Sequence, residues 1–330
     1  MYNNLSLFNA NGINCQLELG NWSISKINHI LNNAQRYSFD PSQKIIFIIQ
    51  HFMGTPFIFD AQLPIAKKGI LKVRLESFDS LTFVHNMLSL SHASSFEEFI
   101  KNLYEIEFAW TEKNVIDNDP DKGNRLSLAC ESILINAINK KYLRDITNEL
   151  IASDKLDTVE INIKRYQRPK KFDQKELFVS PKYGSGIKRE QFITINNIGR
   201  INKDLVKTGD IVLLTKGEIS NRGVKQDVLV NHLVFAYKQD NEIYFIHASK
   251  DFMLKSSGTS NISDFYSRVY YDPKHQREQL GVSFGGKYLG EELNIHMNGI
   301  DYWAYDPFVK ESLINYVEQN YWGAKFLRAL

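Results

Sequence analysis

Phe78-Asp79-Ser80-Leu81-Thr82-Phe83-Val84 carries the marks of a buried helix start. Asp79 is a residue type that caps helix N-termini, because its side-chain oxygen can accept from an orphan backbone N–H of the first turn. Leu81, Val84 and Leu88 then recur on one side at helical spacing, with Phe83, Met87 and Leu90 widening the stripe. The spacing predicts a helix beginning at Asp79, with Ser80 in its first turn at the positive end of the helix dipole. By spacing alone Ser80 reads as part of the cap. As a nucleophile it would need a base, since a serine hydroxyl is almost wholly protonated at neutral pH.

The flanking segments extend a helical N-terminal half. Ile24 to Tyr37 has apolar residues at helical spacing, with Ser23 or Ser25 as cap. Ile45-Ile46-Phe47-Ile48-Ile49 is a short apolar run that by itself reads as a buried strand, ended by Gly54-Thr55-Pro56. Ser95 and Glu98 fit a capping box before Phe99, Ile100, Leu103 and Tyr104. A polar loop around Asn118-Asp119-Pro120-Asp121 precedes another helical stretch, Leu126 to Ile138.

From Thr208 the pattern changes to strands. Ile211-Val212-Leu213-Leu214, Val228 to Tyr237 and Ile243 to Ala248 are apolar on both faces, so the sheet they form is covered on both sides. The tail from Phe308 to Leu330 mixes a helix with a final apolar segment. Helices first and an antiparallel sheet later predict an α+β fold. If the turn at Gln239-Asp240-Asn241 sets Lys238 opposite Asn241, His232 faces His247 across the hairpin. Directly opposed side chains lie about 4.5–5.5 Å apart at Cβ. A lone buried histidine is commonly a satisfied core residue, whereas a facing pair suits a base oriented by a partner.

Composition sets outer limits. The 330 residues are 43% hydrophobic and 24% charged, with 21 Phe and 16 Tyr, ordinary for a chain that buries a core. A net charge of +2 demands neither nucleic acid nor an anionic membrane. The stretch 164–190, rich in Lys and Arg, lacks a regular aromatic interleave and reads as a surface excursion, not a nucleic-acid arm. No apolar run approaches the roughly 18 residues of a membrane span. Met1 to Gly12 is polar and Asn-rich, unlike a secretory leader. Cys15 and Cys130 have no paired spacing of a redox or zinc motif. His232 and His247 could ligate zinc, yet no carboxylate or cysteine at suitable spacing completes the set, so neither metal nor cofactor is expected.

Six short motifs, in order, resemble the N-acetylmuramoyl-L-alanine amidase-like family of the NlpC-type papain-like hydrolases. They are Gly54-Thr55-Pro56-Phe57, the Phe78–Val84 stretch, Arg125-Leu126 opening a helix, Gly209-Asp210-Ile211-Val212, Asn231-His232-Leu233-Val234, and His247-Ala248-Ser249. The resemblance runs from about residue 45 to 250. It implies a papain-like fold with N-terminal helices packed on an antiparallel sheet, and it makes Ile45–Ile49 helical. The chain then reads as a single domain, 1–330, with an N-terminal extension over about 1–40 and the excursion over about 160–195. By position, the resemblance implies Ser80 as nucleophile, His232 as general base, His247 as its orienting partner, and substrate contacts at Thr55, Asp79 and Arg125. The implied substrate is a peptidoglycan fragment or another small peptide-like molecule. A periplasmic or secreted location follows if a leader precedes this sequence, and a cytoplasmic one otherwise.

The departures from the family pattern are as informative. The family's cysteine is replaced by Ser80, the tyrosine after Pro56 is replaced by Phe57, and the His-Tyr pair after Arg125 is replaced by Ser127-Leu128. Two readings follow: an amidase-like hydrolase with a serine nucleophile, or a degenerate relative that binds muropeptide or another peptide-like ligand without cleaving it. An unrelated use of the fold, such as acyl transfer, and an introduced Cys-to-Ser change are further alternatives.

Overall fold

A computed structural model describes residues 7–58, 71–107, 137–162, 187–219, 225–249, 282–288, 292–297, 300–305 and 308–330. In chain order its strands are β1 (Leu7–Ala10), β2 (Ile13–Glu18), β3 (Leu71–Arg74), β4 (Leu143–Asp145), β5 (Leu156–Asn162), β6 (Ile187–Thr194), β7 (Ile211–Ile219), β8 (Lys225–Gln239), β9 (Glu242–Ala248), β10 (Val282–Phe284), β11 (Gly286–Tyr288), β12 (Glu292–Met297), β13 (Ile300–Tyr305), β14 (Phe308–Lys310) and β15 (Gly323–Ala329). The helices are α1 (Ile24–Tyr37), α2 (Pro41–Phe52), α3 (Ser80–Ser91), α4 (Phe96–Glu107), the single turns α5 (Thr147–Leu150) and α6 (Ile195–Ile198), and α7 (Leu313–Asn320). The architecture is the α+β arrangement expected from the sequence.

The main sheet is antiparallel and runs β10-β9-β8-β7-β15-β6-β5, with β4 also paired to β15. Alternation along its strands feeds two cores. Ile211, Leu213, Leu233, Phe235, Ile246 and Leu327 face the layer of α1 to α4. Val212, Leu214, Val234, Ala236, Phe245 and Phe326 face α5, α6 and α7. The both-faces-covered reading of these strands therefore holds. Ile45–Ile49 lies within α2, as the resemblance implied, because Asp40 caps it and Pro41 opens it. Glu98 N donates to the Ser95 cap, but the Glu98 carboxylate accepts from Ser94 instead of Ser95. Arg125, Cys130 and most of the 126–138 stretch lie outside the described residues, as do residues 163–186 of the basic stretch. Ile187–Thr194, at the end of that stretch, is strand β6, paired with β5 and β15.

The hairpin register differs from the simple expectation. Asp240 and Asn241 have φ of 50° and 61°, so a two-residue turn joins β8 to β9 and Gln239 faces Glu242. Positive φ at both central positions is the turn whose twist matches a hairpin. His232 and His247 are consequently two positions out of direct opposition. An even offset keeps both on one face.

A buried ion pair fixes β15 against β7. Asp210, which precedes β7, is fully buried and accepts from Arg328 Nε at 2.8 Å and Nη2 at 2.7 Å. The backbone N–H of Lys207 completes the cradle at 2.8 Å, and Arg328 also donates to the Leu205 carbonyl at 2.6 Å. Gly209 beside it has φ of 95°, and a Cβ there would stand 2.2 Å from the Ser42 carbonyl oxygen. The Gly-Asp motif is thus structural. Removing one partner strands a buried charge, which costs about 3–5 kcal/mol. Urea unfolding of Asp210→Ala and of Arg328→Ala is expected to show losses of that size, with the double variant losing less than their sum.

Candidate active site

Phe78, Asp79, Thr82 and Phe83 of the Phe78–Val84 motif serve to start α3. The Asp79 carboxylate accepts from Thr82 N at 2.7 Å, and Thr82 Oγ1 accepts from Asp79 N at 3.0 Å, a reciprocal capping box. Phe78 and Phe83 bracket this cap, their ring centroids 5.7 Å apart, as a hydrophobic staple. Ser80 occupies the first helical position. Its side chain is half-buried and, among the described residues, makes no hydrogen bond.

The start of α3 is tied to the Gly54–Phe57 segment, and its far end reaches the chain's tail. At the far end of α3, His92 Nε2 lies 2.9 Å from the Leu330 carbonyl, just beyond β15. Because Leu327 pairs with Ile211 and Gly323 with Thr215, that contact marks the Ile211 end of β7. His232 pairs with Leu214, at the other end. Phe83 packs edge-on against Phe235 at 5.4 Å, which seats the helix across β8. The Gly54–Phe57 segment is tied to β10 and to Phe78. Gly54 N donates to Val282 O at 2.8 Å, Val282 N to Thr55 O at 2.9 Å, and Phe78 N to Pro56 O at 2.9 Å. Val282 pairs with Ala248, next to His247. Thr55 and Phe78, the residue before the α3 cap, are thus tied to the strand beside His247.

His232 and His247 are joined: His232 Nε2 lies 2.9 Å from His247 Nδ1. A β-bulge between Leu214 and Thr215 distorts the β7–β8 ladder beside His232. Such irregularities re-aim a neighbouring side chain. The pair faces the α7 side of the sheet. His247 stands perpendicular to Phe245 at 5.1 Å and to Tyr316 at 6.1 Å, and His232 lies parallel to Tyr321 at 6.4 Å. Ser80 approaches from the α3 side, and no hydrogen bond links it to either histidine. Phe245, Tyr316 and Tyr321 were not singled out by sequence. The two tyrosines come from a tail without a motif, and only a helical stripe near residue 316 hints at them.

Electrostatics separate the two rings. His247 is 3% exposed, and its Nε2 has no hydrogen-bond partner. Burial first, and the neighbouring His232 second, hold its pKa well below the usual imidazole range, so it is neutral. Among the described residues no group of three His, Cys, Asp or Glu gathers to hold a metal, and no helix is long and apolar enough to cross a membrane. The linkage sign follows from the depressed pKa. Below about pH 6.5 the unfolded chain takes up a proton at residue 247 that the folded protein refuses, so stability falls as pH falls. Unfolding measured between about pH 6.5 and 5 is expected to lose up to about 1.4 kcal/mol per pH unit more in the native protein than in His247→Gln. Parallel lines would show that residue 247 titrates normally.

Comparison with known proteins bears on the fold and the family. The sequence matches the N-acetylmuramoyl-L-alanine amidase-like family over residues 48–268. Among solved structures, a Legionella pneumophila str. Philadelphia 1 protein of family DUF1460 shares 17% identity, with 93% of this chain and 94% of that chain covered and a TM-score of 0.56. An N-acetylmuramoyl-L-alanine amidase from Bacteroides uniformis shares 17% identity over 86% of this chain and 98% of that one, with a TM-score of 0.52. At these identities the likeness is one of fold. No curated protein matches the chain. The family match spans the Gly54–Phe57 segment, the α3 cap, Gly209-Asp210 and both histidines, and on that ground the chain belongs to the N-acetylmuramoyl-L-alanine amidase-like family.

Proposed function

We propose that this protein hydrolyses the amide between the sugar lactyl group and L-alanine in peptidoglycan fragments, with Ser80 as nucleophile and His232 as general base. The observation that carries the reading is the 2.9 Å contact between His232 and His247. A hydroxyl nucleophile requires a base oriented by a partner, and His247 supplies that orientation in this reading. Ser80 Oγ attacks the carbonyl carbon and gives its proton to His232. The backbone N–H groups of Ser80 and Leu81, left without intrahelical acceptors in the first turn, hold the oxyanion. His232 then protonates the departing amine, and water releases the acyl group from Ser80. For the first transfer, the hydroxyl and the imidazole must close to hydrogen-bond distance as substrate enters. Thr55, Asp79 and Arg125 are the substrate contacts in this reading.

A second reading, binding of muropeptide without cleavage, is favoured by two observations. The Ser80 hydroxyl has no hydrogen bond to His232, and Phe57 has no hydroxyl to offer a substrate. Defined muropeptides incubated with the native protein, Ser80→Ala, Ser80→Cys and His232→Ala separate the two. Hydrolysis is expected from the native protein, with kcat/KM reduced about 10²–10⁴-fold in Ser80→Ala and His232→Ala. Cleavage by Ser80→Cys alone would establish the binding reading. Inactivity of both the native protein and Ser80→Cys would overturn the substrate class.

A further inference from the structure

We propose that the cleft between α5 and the segment that follows α6 binds the terminal carboxylate of a short peptide. The inference goes beyond the hydrolase reading and does not depend on it, because none of the residues assigned to cleavage lines this cleft.

The cleft measures about 580 Å³, within the range of small-molecule sites. Its floor is apolar. Leu150 and Ile151 are buried members of the second core, and Ala152 carries the floor out to the surface. The walls come from two connections, 151–155 ahead of β5 and 199–202 after α6. Hydrogen bonds join them. Asn202 N donates to Leu150 O at 2.8 Å, and Asn197 Nδ2 donates to Lys155 O at 2.8 Å. Lys155 N closes a tight turn onto Ala152 O at 2.9 Å. The main chain thus fixes the spacing of the walls.

Charge selects the ligand. Arg74, Arg144 and Arg328 each meet a carboxylate, on Glu18, Glu149 and Asp210 respectively. Arg200 lines the cleft, is exposed and, among the described residues, has no hydrogen bond or ion pair from its guanidinium. Lys155 lines it too. Its 3.0 Å pair with Asp154 is solvent-exposed, and such pairs are weak enough to yield to a ligand. Asn202 Oδ1 accepts from Asp204 N at 3.0 Å, which leaves Nδ2 as a donor. Against these two cations stands Glu149, so the lining carries one net positive charge and suits a monoanion. A planar carboxylate matches the guanidinium fork with two parallel hydrogen bonds. The floor from Leu150 to Ala152 then takes the small apolar side chain beside that carboxylate. A short cleft with a polar rim suits a peptide end over a long acyl chain.

The dipeptide Ala-Leu, its C-terminal amide and inorganic phosphate, each titrated into ¹⁵N-labelled protein at about pH 7, test the proposal. Ala-Leu is expected to bind with a Kd of about 1 mM and to shift the amide signals of residues 150–152 and 200–202 and the Nε–H of Arg200. The amide is expected to bind about tenfold more weakly, as is Ala-Leu to Arg200→Gln. Arg200→Lys is expected to fall between, since it keeps the charge and loses the fork. His232→Ala is expected to keep the native affinity, which separates this site from the cleavage site. Equal binding of acid and amide, native affinity in Arg200→Gln, or shifts that bypass residues 150–152 would each overturn the proposal. Phosphate binding as tight as that of Ala-Leu would overturn the peptide as ligand, and the absence of shifts with Ala-Leu at about 10 mM would overturn the site itself.

Discussion

The buried Asp210–Arg328 pair is the constraint on which the other contacts depend. It locks β15 to β7 in one register, with Leu327 opposite Ile211 and Gly323 opposite Thr215. Because α7 runs directly into β15, that register also decides where Tyr316 and Tyr321 come down on the sheet. A slip of one residue would exchange the two faces of β15, sending Leu327 into the wrong core. Two donors from Arg328 and one from the Lys207 backbone satisfy the carboxylate, which is the condition under which a buried charge is tolerable.

The site inherits its character from the sheet's two-sidedness. The helix that carries Ser80 packs on one core, through Phe83 and Phe235, while the histidine pair faces the other, among Phe245, Tyr316 and Tyr321. A bulge disrupts the β7–β8 ladder beside His232, which bends the strand there. His247, held neutral by burial, is the fixed point of the pair, and His232, half-buried, is the ring that can address solvent or ligand.

Much of this was legible in the sequence where local rules act alone. The capping types Asp79, Ser23 and Ser95 mark real helix starts, and the doubly apolar strands do lie between two cores. Ile45–Ile49 was not decidable from its own residues, since a short apolar run suits strand and helix alike; Asp40-Pro41 ahead of it settles the matter. The hairpin register was misjudged by two positions, because Gln239-Asp240-Asn241 admits more than one turn and only the positive φ of Asp240 and Asn241 selects it. The error left both histidines on one face because the offset is even. The aromatic shell was not legible, for it is assembled by a tertiary contact between β9 and a helix with no motif of its own.

The place of β15 in the sheet bears on how the protein is made. Asp210 and Arg328 are 118 residues apart, yet β15 lies between β7 and β6, the strand that joins the two halves of the sheet. As the ribosome delivers the polypeptide from its N-terminus, β6 and β7 emerge well before β15, their common neighbour. Until β15 inserts, β6 and β7 each present an open edge, the feature through which strands of different molecules join. Assembly thus waits on a contact distant in sequence, which slows folding and lengthens the interval in which a nascent chain invites a chaperone's attention.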